Sequence, residues 1–362
     1  MLNITIVKKI SQTKRIVVIT LMLCVLKTYK THAQDIHFSQ IHESPLFISP
    51  AYAGFFNGYF RAIANYRTQW PAMGGPFKTI ALQTDGGFFK NRKRNAFLGA
   101  GLSIYNDAAG SANFSLLSVA LNISGIVKLS DKSAFSAGIY GGPVTNNSNY
   151  DKLTFAHQFN GEKIDETAAT GENFVFRKFT YSDIGAGLAY EFSTKQISEE
   201  RDYITSVRVG FGAYHLNGPK TAYTTATDFR LPKRYTFHVT SNIDIHNTPI
   251  SIMPSILYQI QSPATQLNLG THVFYRLKNG TKITGEKNEI KLGMGIYYRN
   301  KDAFIAQLMI DMGPYALNLS YDYNYSQYKI ASKGMGGYEI GLRYNILGDA
   351  LFSKRSEYRN TK

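Results

Sequence analysis

Cysteine is almost missing from this chain of 362 residues: its one example, Cys24, lies within the leading thirty-three. Once that leader is removed, disulfides and thiolate metal sites are excluded. Long hydrophobic runs are missing too. The apolar run Ile16–Leu26 has eleven residues, short of the about 20 that a membrane-crossing helix needs. No phosphate-binding glycine loop, dinucleotide fingerprint or nucleophile elbow occurs, so the nucleotide-dependent and elbow-type hydrolase classes have no motif to stand on. Tryptophan occurs once, at Trp70, and residues 1–33 hold no acid.

What the leader does contain is a positive region (Lys8, Lys9, Lys14, Arg15), the short apolar run, and small residues at Thr31-His32-Ala33. This order predicts a cleaved signal peptide over 1–33 and a mature chain that starts at Gln34. Cys24 follows Leu23 rather than a small residue, which argues against a lipoprotein site. Losing the leader's six basic residues lowers the formal charge from +15 to +9. That residual charge suits phosphorylated lipid headgroups or an acidic protein partner. No basic helix or aromatic-basic strip is present, so nucleic acid is not an expected partner.

The mature chain is built on a period of two. In residues 290–298, Ile290, Leu292, Met294, Ile296 and Tyr298 share one face, and Lys291, Gly293, Gly295 and Tyr297 the other. One apolar face and one polar or glycine face, repeated in segments of about ten residues, is the pattern of strands with lipid outside and water or packed polar groups inside. Fourteen such segments are legible, near 59–68, 77–85, 96–105, 114–128, 134–140, 182–191, 204–216, 235–245, 250–260, 266–275, 289–299, 303–311, 315–324 and 338–346. The expected fold is all-β: a closed transmembrane antiparallel barrel of 14 strands in an outer membrane. An even count places both barrel termini in the periplasm. The expected organisation is a signal peptide (1–33), a segment inside or beneath the barrel (34–58), the barrel (59–346) and a basic tail (347–362).

Loop lengths give the expected direction. Gly141–Phe179, Asn217–Arg234 and Asn324–Gly337 would be long outward loops, and Lys128–Ser133, Ile245–Pro249 and Asp311–Pro314 short inward turns. Glu191–Tyr203 and Arg276–Asn288 are longer and highly charged; they are either solvated turns or a docking face for a periplasmic partner. Aromatic content of 14%, with 25 tyrosines and 23 phenylalanines, would supply belts at two membrane interfaces, although a soluble sandwich can also be tyrosine-rich. Glycines gather on inward faces (Gly99, Gly101, Gly185, Gly187, Gly210, Gly212, Gly293, Gly295). They either make room for something large or for flat aromatic rings, or permit the bending that closure requires.

Catalytic chemistry finds little support. His37 and His42, beside Glu43, are the one close mature histidine pair, and a spacing of five suits neither a helical nor a strand ligand pair. His238 and His272 with nearby serines could be read as a barrel-borne lipase, but nothing selects one serine as nucleophile. Neither a metal nor a cofactor is expected.

The segments Ser39-Gln40, Ser49-Pro50-Ala51-Tyr52-Ala53-Gly54, Tyr66-Arg67-Thr68-Gln69-Trp70-Pro71 and Phe77-Lys78-Thr79 resemble the opening of the PorP/SprF family. These are outer-membrane proteins of type IX secretion and gliding motility in Bacteroidetes. The resemblance continues through Gly212–Pro219, Pro254–Tyr258, Tyr298–Ala303, Ser320–Asn324 and Gly337–Leu342. It implies a non-enzymatic barrel that supports export and surface attachment of cargo bearing the type B form of the type IX C-terminal signal, large adhesins among them. Its implied partners are that cargo, other secretion components in the periplasm and outer membrane, and outer-membrane lipid. The family carries no catalytic residues to transfer. Two other readings stay open, a channel or transporter for a small substrate and an outer-membrane hydrolase.

Two sets of residues are singled out from the sequence. Trp70, next to Pro71 at an outer strand end, is a rigid contact for cargo or an interface anchor. Arg67, Asp85, Glu191, Arg299, Asp322, Glu339 and Arg343 lie on or beside inward faces. Because unpaired charge there is costly, they are expected to form a network that fixes register and closes the lumen, part of which could bind cargo.

Overall fold

The structure, a computed structural model, describes residues 35–72, 75–89, 95–110, 114–147, 153–172, 178–196, 203–221, 229–278, 289–326 and 329–346. The expected signal peptide and basic tail lie outside these residues, as do the centres of the two charged turns near 197–202 and 279–288.

Fourteen strands close into one antiparallel barrel. In chain order they are β1 (Phe60–Gln69), β2 (Phe77–Phe88), β3 (Ala96–Ala109), β4 (Phe114–Lys128), β5 (Ser133–Asn146), β6 (Thr180–Gln196), β7 (Tyr203–Tyr214), β10 (Arg234–Asp244), β11 (Ile250–Gln261), β12 (Ala264–Lys278), β13 (Ile290–Arg299), β14 (Ala303–Met312), β15 (Tyr315–Asn324) and β16 (Met335–Ile346). The two-residue strands β8 (Lys220–Thr221) and β9 (Phe229–Arg230) pair with each other outside the barrel. Each barrel strand pairs with the next, and β1 closes on β16 from Phe60↔Ile346 to Gln69↔Gly337. Closure removes the unpaired edges that an open sheet would expose to lipid.

The alternation read from the sequence is the alternation of burial. On β13, Ile296 is 74% exposed and its neighbour Tyr297 1%, so adjacent side chains meet opposite environments. Ile80, Leu121, Ile139 and Met294 are also exposed on outward faces, forming the apolar band that lipid would cover. Tyrosines gather near both strand ends: Tyr66 packs on Tyr338 at one rim and Tyr315 on Tyr344 at the other.

The structure moves some expected boundaries. The fifth strand does not end at Tyr140, and the loop does not begin at Gly141: β5 runs on to Asn146, pairing Gly141–Thr145 with Ile184–Thr180 of β6. The Gly141-Gly142-Pro143 run suggests a turn, yet the strand tolerates it because the ladder towards β4 lapses opposite Pro143, which has no N–H to donate. The same lapse occurs towards β10 opposite Pro254. The last strand begins at Met335 rather than Tyr338.

The two rims differ. β1 begins and β16 ends at a rim whose other connections include the short turns 129–132, 245–249 and 313–314. The opposite rim carries the long connections 147–179 and 215–233. Within the first of these, Ala156–Gln158 forms a 3-10 turn and Phe159 bridges to Ile164.

Candidate functional site

The barrel is filled by its own N-terminal segment. Between Phe38 and Phe56 the chain makes a 3-10 turn at Ile41–Glu43, a helical turn at Pro45–Ile48 and a second 3-10 turn at Pro50–Tyr52. Pro45 and Pro50 stand at the starts of their turns, where a fixed φ helps and a missing N–H costs nothing. Ser49 caps the last turn by accepting from the Ala51 N–H at 3.3 Å. Ile41, Ile48, Ala51, Tyr52 and Phe55 are buried in one apolar cluster with the wall residues Phe97, Ile126, Leu257, Tyr297 and Ile305. Segment and wall thus form one core.

Glycines mark where the two press together. A Cβ on Gly99 would stand 2.0 Å from the Ala53 carbonyl oxygen, one on Gly138 2.6 Å from the Ala51 nitrogen, and one on Gly212 2.2 Å from the Ile48 oxygen. Gly187 lies under Ser49 and Gly210 under Tyr52 in the same way. Beside these bare positions, small polar side chains hold the segment's backbone: Ser124 Oγ donates to the Ala53 oxygen at 2.6 Å, Ser136 Oγ to Ala51 at 2.7 Å and Thr236 Oγ1 to Ile48 at 2.5 Å. Gly293 and Gly295, in contrast, lie under the wall's own Phe274 and His272 rings. The sequence left both uses open, room for something large and room for flat rings; the structure has both.

Four of the singled-out residues meet at Ser39. Arg67 pairs with Asp322 at 3.0 Å and with Glu339 at 3.3 Å. Arg299 also pairs with Asp322, and with Asp302 at 2.6 Å. Ser39 Oγ donates to Asp322 at 2.8 Å and accepts from both Arg67 and Arg299, while its N–H donates to Glu339 at 2.8 Å. Two arginines thus face two acids around one serine hydroxyl, with the four charged side chains 3% exposed or less. Gln307 and Gln40 complete the junction by donating to the Ser39 and Glu339 carbonyl oxygens.

The other singled-out charges form separate pairs rather than one network. Arg61 holds Asp85 through two nitrogens at 2.9 Å, and the second oxygen of Asp85 accepts the Gly54 N–H at 2.8 Å. Glu191 pairs with Arg208, whose guanidinium lies over Tyr52 and Phe55. Arg343 bridges Glu43 of the segment at 2.6 Å and Asp311 at 2.9 Å. The interior carries several separate groups because each arginine reaches only acids of the next strand, of the strand beyond it or of the filling segment.

Trp70 stands just past the end of β1 with φ +52°, its ring edge-on to Phe77 at 5.4 Å. His42 Nε2 contacts the Tyr297 hydroxyl at 2.5 Å, which also contacts His272 Nδ1 at 2.9 Å. His238 lies between Tyr52 and Ser255, at 3.0 Å and 3.3 Å. This serine–histidine pair is buried and faces the filled lumen, not lipid. Among the described residues no group of three or more His, Asp or Glu is arranged to hold a metal.

Ser39, Gln40, Glu43 and His42 are positions of the segment bonded to the wall that periodicity does not single out. The signal that could find them is compositional: a short stretch of serine, glutamine, histidine and glutamate set among apolar residues, just ahead of a barrel whose inward faces are charged.

The family described as "Type IX secretion system membrane protein PorP/SprF" matches residues 30–344. The chain belongs to that family. No curated protein matches the chain. Among solved structures, the "CymD monoaromatic hydrocarbon channel" is 9% identical with a TM-score of 0.43, covering 85% of this chain and 94% of that one. BamA from Haemophilus ducreyi, lacking POTRA domains 1-3, is 7% identical with a TM-score of 0.40, covering 80% and 70%. These are similar barrels and say nothing of what this one does. The PorP/SprF chain is a membrane protein of type IX secretion with the architecture of an outer-membrane barrel.

Proposed function

We propose that this PorP/SprF barrel is a closed, non-catalytic station in the outer membrane that supports export and surface attachment of particular type IX cargo. The cargo carries the type B C-terminal signal, and large adhesins are the class in view. Other secretion components engage the barrel from the periplasm, and the long connections face outward. What supports a station rather than a conduit is the filled lumen: residues 38–56 are bonded to the wall at Ser39 and Glu43, both against β16, and at Ala51, Ala53 and Gly54, against β5, β4 and β2. Cargo chain would have to displace all of these to pass through.

Deleting the chain should remove one or a few large secreted proteins from the cell surface and leave most type IX cargo in place. Quantitative proteomics of surface and medium reads this directly. An unchanged surface proteome with a lost nutrient-uptake phenotype, or steady ion conductance by the intact barrel in planar bilayers, would replace the station with a channel.

A further inference from the structure

The filling segment enters and leaves the lumen at opposite rims. Its C-terminal end is fixed at the short-turn rim, where the Tyr59 N–H donates to the Ile346 oxygen at 3.0 Å and the Tyr59 oxygen accepts from Gly87 at 3.2 Å. Ile346 is the last residue of β16, and Phe60 the first of β1. Its N-terminal end is fixed elsewhere. Ser39 is bonded to Arg67, two residues before the end of β1, to Asp322, two before the end of β15, and to Arg299, the last residue of β13. In an antiparallel barrel these three positions share the rim that carries the long connections. Gln307 of β14, which donates to the Ser39 oxygen, lies four residues from that same rim.

Between these anchors the chain doubles back once before it crosses the lumen. Glu43 reaches Arg343, which also holds Asp311, towards the short-turn rim. Leu46 and Phe47 then accept from Tyr214, the last residue of β7, and from Arg234, the first of β10, both at the long-connection side. Ala51, Ala53 and Gly54 lead down again to Asp85 and the start of β1.

We infer that the segment is a thread through the barrel rather than a plug hung from one side. Ile36, just ahead of Ser39, is therefore reached from the long-connection rim, although β1 starts at the other. A pull there would load the Ser39 junction first and β1 last. The inference does not depend on which rim faces the medium.

Cys24 is the chain's one cysteine, so C24S gives a background for single-cysteine labelling. Cysteine placed at Ile36 is compared with cysteine at Gly161, in the long connection, and at Asn247, in a short turn. A membrane-impermeant maleimide is applied to intact cells and to cells with a permeabilised outer membrane. I36C should be labelled under the same condition as G161C and not as N247C. An epitope inserted between Gln34 and Asp35, read by antibody, gives the same answer should the Ile36 position be shielded. Labelling that follows N247C, or silence of both probes where G161C is reached, would overturn the thread.

Discussion

Replacing Arg67 with methionine is expected to destabilise the barrel by about 3–5 kcal/mol, the range for stripping one partner from a buried ion pair. Methionine occupies much of the arginine's volume, so the loss is mainly of charge rather than packing. Glu339 would lose the cation at 3.3 Å, Asp322 one of its two guanidinium partners, and Ser39 a donor. The R67M/E339Q double variant should recover much of the loss, because it leaves neither acid nor arginine unmatched at that position. The denaturant midpoint of the heat-modifiable band measures both. A double variant as unstable as R67M would show that shape, and not charge pairing, holds the junction.

The second large effect is steric. In G99A the new methyl would stand 2.0 Å from the Ala53 oxygen and 2.4 Å from Ser124 Oγ, the group that itself binds that oxygen. Both neighbours are fixed, one by backbone and one by its bond, so the filling segment has to lift from the wall, at about 1–3 kcal/mol for overpacking of this kind. G99A/G212A adds a clash at 2.2 Å with the Ile48 oxygen, four strands along the sheet. Distant sites of this sort contribute roughly additively. G125A is the control, with nothing within 4 Å of its added methyl. Lifting would appear as new protease cuts between residues 38 and 56, or as ion conductance that the parent lacks. Intact protection in G99A/G212A would mean the wall can yield instead.

The strands were legible because each one separates lipid from a filled interior. Ile296 and Tyr297 differ in environment as sharply as neighbours can, and a period of two records that difference without any tertiary information. The N-terminal segment has no such record. Turns of three or four residues are too short to establish a period, and their positions are set by partners as remote in sequence as Glu339 is from Ser39. The grouping of charges was half visible for the same reason. Arg67, Asp322, Glu339 and Arg299 could be named as inward residues strand by strand, but the serine that joins them lies outside the strands. Arg343 and Asp85 could be named too, and their separation into other pairs follows from Glu43 and Arg61, which the alternation gives no reason to assign to them. At Gly141-Gly142-Pro143 local chemistry misled, because a missing donor can end a strand or merely interrupt one of its two ladders.

A wall relieved of side chains where one occupant touches it is matched to that occupant alone. Gly99, Gly138, Gly187, Gly210 and Gly212 follow the relief of residues 48–53, much as a casting keeps the shape of its pattern. Exchanging the N-terminal segment between two barrels of this family would therefore set foreign contours against an unaltered mould. Carrying β3–β7 and β10 across with it would keep the fit. The unit of exchange in this fold is then a segment with its facing arc of wall, although the two are set far apart along the chain, from Phe38 to Asp244.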